Sequence, residues 1–253
     1  MAELSPIEIG RKLTQAGRLN THPLCIYGAD TPPVDSIPSN NRCIANVIYS
    51  LATNSIYPSV HIGRDEKKEC CPGGQAWFGF KPFIPHLKYF LSTGSQDFRN
   101  GKSEFLISDP ELAQRRLQST GNITPLGRYI VIHRSDQIIR GKSEIKAFLC
   151  FGSSEQVRNL CSLAYFHSEK SIGVQIPWGP SCASFVSYPA GLVENGPKDC
   201  VIVGPTDPTG NYWFPENFMS VGIPFNIAKQ MAVDVDFSFI GKRPKIAYPR
   251  RKE

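Results

Sequence analysis

The 253-residue chain has no run of about 18 apolar residues, so nothing in it is long enough to cross a bilayer as a helix. Its opening, MAELSPIEIGRKLTQAG, lacks a basic segment followed by an apolar run, and a cytoplasmic protein that does not engage a membrane is expected. There is no Gly-x-Gly-x-x-Gly and no P-loop. Gly28, Gly152 and Gly204 close predicted strands singly, which is no nucleotide signature. The cysteines form no Cys-x-x-Cys knuckle of the zinc-ribbon kind and no dense ferredoxin run. Histidine is scarce, at five residues.

What the chain does have is eight cysteines, at 25, 43, 70, 71, 150, 161, 182 and 200, and a net charge of +6. Without an export signal the thiols are read as free: packed as small hydrophobes, catalytic, or metal-binding. Cys150, inside AFLCF, is read as packing. The charge excess comes mostly from the end, GKRPKIAYPRRKE, within a segment 233–253 read as a solvated basic tail, and nucleic acid is not the expected partner.

Ser5-Pro6-Ile7-Glu8 combines a capping serine, proline at the first helical position and glutamate three residues after the cap, predicting a helix to about Arg18. Pro23 to Tyr27 reads as a strand, and ADTPPVDSIPSNN as a loop. A helix is expected from Arg42, with Cys43, Val47, Ser50 and Leu51 on its apolar face. SIYPSVHI is extended, QAWFGF and PHLKYFL are helical on either side of Lys81-Pro82, and Asp109-Pro110 caps a further helix up to Gly121. Between these, Thr93 to Ser108 is a polar excursion with no catalytic signal. RYIVIHR, IKAFLCFG, SIGVQIP and DCVIVG are strands; Ser153 to Gln156 caps a helix to about Phe166, and a last helix runs from Pro224 to about Ala232.

The halves show a faint duplication. LCIYG, Ser50-Leu51-Ala52 and the Cys71 turn match FLCFG, Ser162-Leu163-Ala164 and the Cys182 turn, with 19 residues from Ala52 to Cys71 and 18 from Ala164 to Cys182. The expected architecture is therefore α/β: one compact domain over 1–253, built from two pseudo-repeated strand-helix-strand-cysteine-turn-helix halves, at about 20–92 and 144–204, with a site between them. Cys71 and Cys182 become pseudo-equivalent, each at a helix start that lowers a thiol's pKa, and sites in α/β sheets gather at the carboxyl ends of strands. Cys43, opening another helix, supplies a third sulfur. Adjacent side chains do not both reach one small site from an ordinary turn, so Cys70 is read as packing or spare.

Three dispersed thiolates are able to hold an iron-sulfur cluster with one iron left open, in a low dielectric supplied by Trp77, Phe78, Trp178 and Phe185. Gly73, Gly74, Gly179 and Trp178 are then the residues expected beside the bound group. Three alternatives stay open: thiols that are packed and inert, a metal-free module for a small anion at the glycine turns, and a cysteine nucleophile at Cys71. For the last, His61 is the best base, ahead of His22, His86, His133 and His167.

Together, NRC-IANVIYSLA, CCPGGQAWFGF, FGSSEQVRNL and GPSCASFV resemble the domain of unknown function 169 family of anaerobic archaea and bacteria, from about Ile7 to Ala232. The resemblance implies cysteines at Cys43, Cys71 and Cys182, and oxygen-sensitive chemistry. With the residue reading it gives the expectation of a 4Fe-4S protein ligated by those three cysteines, its open iron serving a small-molecule ligand or a redox partner. Where many members carry Asp-Arg after the last strand, this chain has Thr206-Asp207-Pro208-Thr209-Gly210-Asn211, so the arginine is missing.

Overall fold

A computed structural model describes residues 4–40, 43–53, 56–64, 70–138 and 144–249. Helix α1 (Pro6–Gly17) starts as its sequence dictates: the Glu8 carboxylate accepts the Ser5 N–H at 2.7 Å, and Ser5 Oγ accepts the Glu8 N–H. Then come β1 (Leu24–Ala29), β2 (Ser36–Pro38), α2 (Ile44–Thr53), β3 (Ser59–Gly63), α3 (Pro72–Trp77), α4 (Leu87–Leu91), α5 (Pro110–Ser119) and β4 (Tyr129–Arg134). The second part runs β5 (Ile145–Ser153), α6 (Ser154–Ala164), β6 (Val174–Gln175), a π-helical turn (Ala183–Ser187), β7 (Val201–Gly204), a 3-10 turn (Pro208–Trp213), β8 (Phe218–Pro224), α7 (Phe225–Asp234), α8 (Phe239–Lys242) and α9 (Pro244–Ala247).

The eight strands form one open sheet in the order β2-β3-β4-β1-β5-β8-β7-β6. Only β2 with β3 and β6 with β7 pair in parallel; the other neighbours are antiparallel. The order is unchanged when β1 to β4 are exchanged with β5 to β8. Under that exchange α2 corresponds to the π turn and α3 to the 3-10 turn, so Cys43 falls opposite Cys182, and Cys71-Pro72 opposite Asp207-Pro208. The Ser-Leu-Ala match aligns different elements, because Leu51 and Leu163 are buried on opposite faces of the sheet. The stretches related by the exchange run over 24–134 and 145–224.

One face of the sheet carries α2, α3 and the π turn, whose Ile44, Ile48, Trp77, Phe78 and Phe185 pack on Leu24, Ile26, Ile130 and Phe151. The other carries α1, α6 and α7, packed on Cys25, Val131, Phe148 and Cys150. Three expectations are corrected. The buried face of α2 is Ile44, Ala45, Ile48, Leu51 and Ala52, with Ser50 exposed, so it is rotated from the expected one, and Arg42 lies outside the described residues. FMSVGIP is a strand, β8, and SIP is an edge strand, β2.

Residues 233–249 of the C-terminal segment pack against the domain through their apolar side chains, with Lys242, Arg243 and Lys245 exposed. Val235, Ile240 and Ala247 are buried, Arg18 stacks 3.8 Å from the Tyr248 ring centroid, and buried Asn159 donates to the Ala247 carbonyl at 2.9 Å. Residues 250–253 lie outside the described residues. Replacing Asn159 by Ala strands that carbonyl and is expected to cost about 1–3 kcal/mol in urea unfolding; no loss would mean the tail does not dock.

Candidate functional site

The cysteine turn and its counterparts enclose a cavity of about 240 Å³ on the α2 face. Cys43, Cys71 and Cys182 all line it, as do Gly73, Gly74 and Trp178. Gly179 flanks it from behind: a Cβ there would lie 2.9 Å from the Ala183 Cβ, so this glycine lets the π turn pack against the 177–180 loop. A larger groove of about 660 Å³ beside α2 and β2 holds neither a cysteine nor a charged side chain among its described lining residues.

Alternating strand directions run from β3 to β7 through five antiparallel pairings, so these two strands point opposite ways. The segments that follow them, carrying Cys71 and Asp207, therefore meet over the sheet face and not along the carboxyl edge of a parallel sheet. Helix α3 has six residues, and the macrodipole of so short an element is small. What sets the thiol chemistry is contact. The Gly74 N–H points at Cys71 Sγ, 3.4 Å away, and Cys71 also accepts a hydrogen bond from the Cys182 thiol.

That bond separates the two sulfurs chemically. The Cys182 hydrogen bond, the Gly74 and Gly73 amides and the Arg99 charge outweigh burial and bring Cys71 down from an ordinary 9.0 to about 6. Cys182 moves the other way, well above its ordinary value, because it is the donor and is buried. The expectation that both thiols are acidified is thus corrected to a thiolate and its thiol donor. Cys43 and Cys70 also bear on the ionisation of Cys182. Cys70 is buried and takes a hydrogen bond from the Gln75 side chain at 3.5 Å, and a Cβ on Gly74 would sit 3.0 Å from Cys70 Sγ and 3.5 Å from Cys182 Sγ. The neighbouring cysteine therefore joins the same group of sulfurs while also packing in the core.

The polar side of the cavity was not legible in the sequence. Arg99 and Glu104 come from the Thr93 to Ser108 segment, and Asp207 from the loop after β7. The Glu104 N–H donates to the Phe90 carbonyl at 2.8 Å and the Leu106 N–H to Leu91 at 2.9 Å, which lays this segment back along α4. Arg99 and Asn100 both hold left-handed backbone, φ 53°, and the Arg99 guanidinium lies 4.5 Å from the Phe90 ring centroid. Burial and the Asp207 charge raise Glu104 to about 7, against the pull of Arg99. Asp207 Oδ1 accepts the Thr209 N–H at 2.8 Å, the same cap-before-proline arrangement that Cys71 makes, and that shared Xaa-Pro start is the signal that could have found it. Arg99 is the cation of the cavity among its described lining residues.

No histidine is among the described lining residues. His61 sits in β3 with Nδ1 3.0 Å from Ser36 Oγ and its ring edge-on to Tyr129. Cys150 is fully buried in β5 and pushed up to about 12, as a packing thiol should be. Among the described residues no three His, Cys, Asp or Glu side chains converge as a single ion requires. A cluster spreads its ligands over several irons, and the donors here suit it: soft thiols, one already ionised, with glycine backbone pressed against the sulfurs.

The fold and site define a mixed α/β protein with a thiol-floored pocket on the face of a predominantly antiparallel sheet. More particularly, the chain belongs to the DUF169 family, described as uncharacterised ArCR, whose model matches residues 12–234. No curated protein and no solved structure matches it.

Alkylation of Cys71 by iodoacetamide in metal-free protein, followed by peptide mass spectrometry, is expected to rise with pH through an inflection near 6 and then level off. In Cys182→Ala the inflection should move up, since the largest stabiliser of the thiolate is gone. An unshifted inflection near 9 in the parent protein would contradict the pairing.

Proposed function

We propose that the pocket holds a 4Fe-4S cluster through Cys43, Cys71 and Cys182, with one iron open toward the cavity for a small-molecule ligand or for electron exchange with a redox partner. The observation that supports this most is the gathering of three thiols from distant parts of the chain at one cavity. When bound, such a cluster supplies a Lewis-acidic iron or a one-electron store.

The chain's own residues are suited to the task. Cys71 is ionised at neutral pH and ligates without first losing a proton, whereas Cys182 gives up its proton on ligation. The Gly74 amide, aimed at a ligating sulfur, tunes its donor strength. Trp77, Trp178 and Phe90 line the cavity beside the thiols, of which Cys182 is buried and Cys71 exposed. Cys70, held by Gln75, is the supporting sulfur and not a ligand in this reading. A cytoplasmic setting in anaerobic metabolism belongs to the same proposal.

An ionised Cys71 is also what a cysteine nucleophile needs, and this favours a second reading as a thiol enzyme. Glu104, not a histidine, is then the group able to carry its proton.

Protein purified without oxygen is expected to be brown and to contain iron and acid-labile sulfide in equal amounts. Cys43→Ser, Cys71→Ser and Cys182→Ser should each lose most of the iron, and Cys70→Ser should keep it. A folded, colourless protein that stays iron-free after anaerobic reconstitution would sink the cluster reading and leave the nucleophile.

A further inference from the structure

The walls of the cavity above the thiols are apolar, formed by Ile84, Leu87, Phe90, Leu91, Leu117 and Trp178. Its volume, about 240 Å³, is below the roughly 300 Å³ at which drug-sized sites begin, so its occupant is small. Among the described residues three charged side chains interrupt this lining: Arg99, Glu104 and Asp207. They are close enough to one another that Glu104 responds to both Asp207 and Arg99.

Arg99 is held against two rings, 4.5 Å from the Phe90 centroid and 5.6 Å from that of Phe98. Among the described residues no carboxylate lies at ion-pair distance from it. Asp207 is 8% exposed, and among the described residues it is engaged at Oδ1, by the Thr209 N–H and hydroxyl at 2.8 and 2.6 Å. Beside Cys182, Ser181 is 5% exposed and its hydroxyl has no partner among the described residues, although it belongs to the cavity lining. A buried hydroxyl left unsatisfied in a pocket marks a place where a ligand atom completes the bonding.

The balance of charge selects the ligand. A simple anion would satisfy Arg99 but add negative charge beside Asp207 and the Cys71 sulfur. A simple cation would satisfy Asp207 but add positive charge beside a guanidinium that, among the described residues, has no carboxylate at ion-pair distance. A molecule carrying both charges meets both demands and leaves the net charge of the pocket unchanged. We propose that the cavity binds a small zwitterion with an apolar side group, of the α-amino acid class: Arg99 takes its carboxylate, Asp207 with Glu104 its ammonium group, and the Leu87, Phe90 and Trp178 wall its side group. The inference deepens the cluster reading, on which it rests for placing this ligand against the open iron, but the binding determinants belong to the chain itself.

The test is isothermal titration at pH 7 with L-phenylalanine, 3-phenylpropionate and phenethylamine, and with the leucine series of the same three forms. It is run on anaerobically purified protein and on the same protein stripped of metal. At least one amino acid should bind about tenfold or more tightly than its des-amino and decarboxylated analogues, as loss of a hydrogen bond to a charged group predicts. Arg99→Gln should bring it to the level of the amine, and Asp207→Asn to the level of the acid, in variants whose thermal melts match the parent. Equal binding of the acid overturns the proposal in favour of an anion site, equal binding of the amine in favour of a cation site, and no binding in either series overturns it outright. Zwitterion preference in protein that never takes up iron sinks the cluster reading alone; iron-loaded protein without the preference sinks this inference alone.

Discussion

The hydrogen bond from the Cys182 thiol to the Cys71 sulfur is the constraint on which the site depends. It sets one sulfur as thiolate and the other as thiol, and it joins the segment after β3 to the connection between β6 and β7 over one sheet face. Gly74 makes the meeting sterically open, since a Cβ there would press on Cys70 Sγ at 3.0 Å and already touch Cys182. The apolar layer beneath, with Phe151 edge-on to Phe185 at 5.1 Å and to Tyr49 at 5.3 Å, fixes the π turn and α2 that deliver Cys182 and Cys43. Core packing and thiol chemistry are thus one arrangement seen at two depths.

The local grammar of the chain was readable wherever one short motif decides one element. Ser5-Pro6 and Asp109-Pro110 begin helices as their caps require, and YIVIHR and IKAFLCF are strands. β8 was hidden because Gly222 and Pro224 break its pattern, yet Gly222 is required there: a Cβ would lie 2.7 Å from the Pro189 ring. β2 is three residues long and ends in proline, a composition tolerated at a sheet edge and indistinguishable from loop by pattern.

The site divides in the same way. Cys71 and Cys182 are marked by nearby glycine and proline and Cys43 by opening a helix, so these three could be selected before any geometry was known. Arg99 and Glu104 could not, because their place depends on a polar segment folding back along α4 through backbone hydrogen bonds and the left-handed Gly94 and Gly101. Ser-Leu-Ala suggests one pairing of the halves, while the strand order pairs different elements and sets Asp207 opposite Cys71. One end of the pocket is consequently sulfur-rich and the other carboxylate-bearing.

The central claim, three cysteine ligands and one open iron, is tested most directly by Mössbauer spectroscopy of protein reconstituted with iron-57, before and after addition of cyanide. The account predicts that one iron in four has distinct parameters and that this iron alone shifts when cyanide binds. Four equivalent irons indifferent to cyanide would show a fully ligated cluster, and would contradict it.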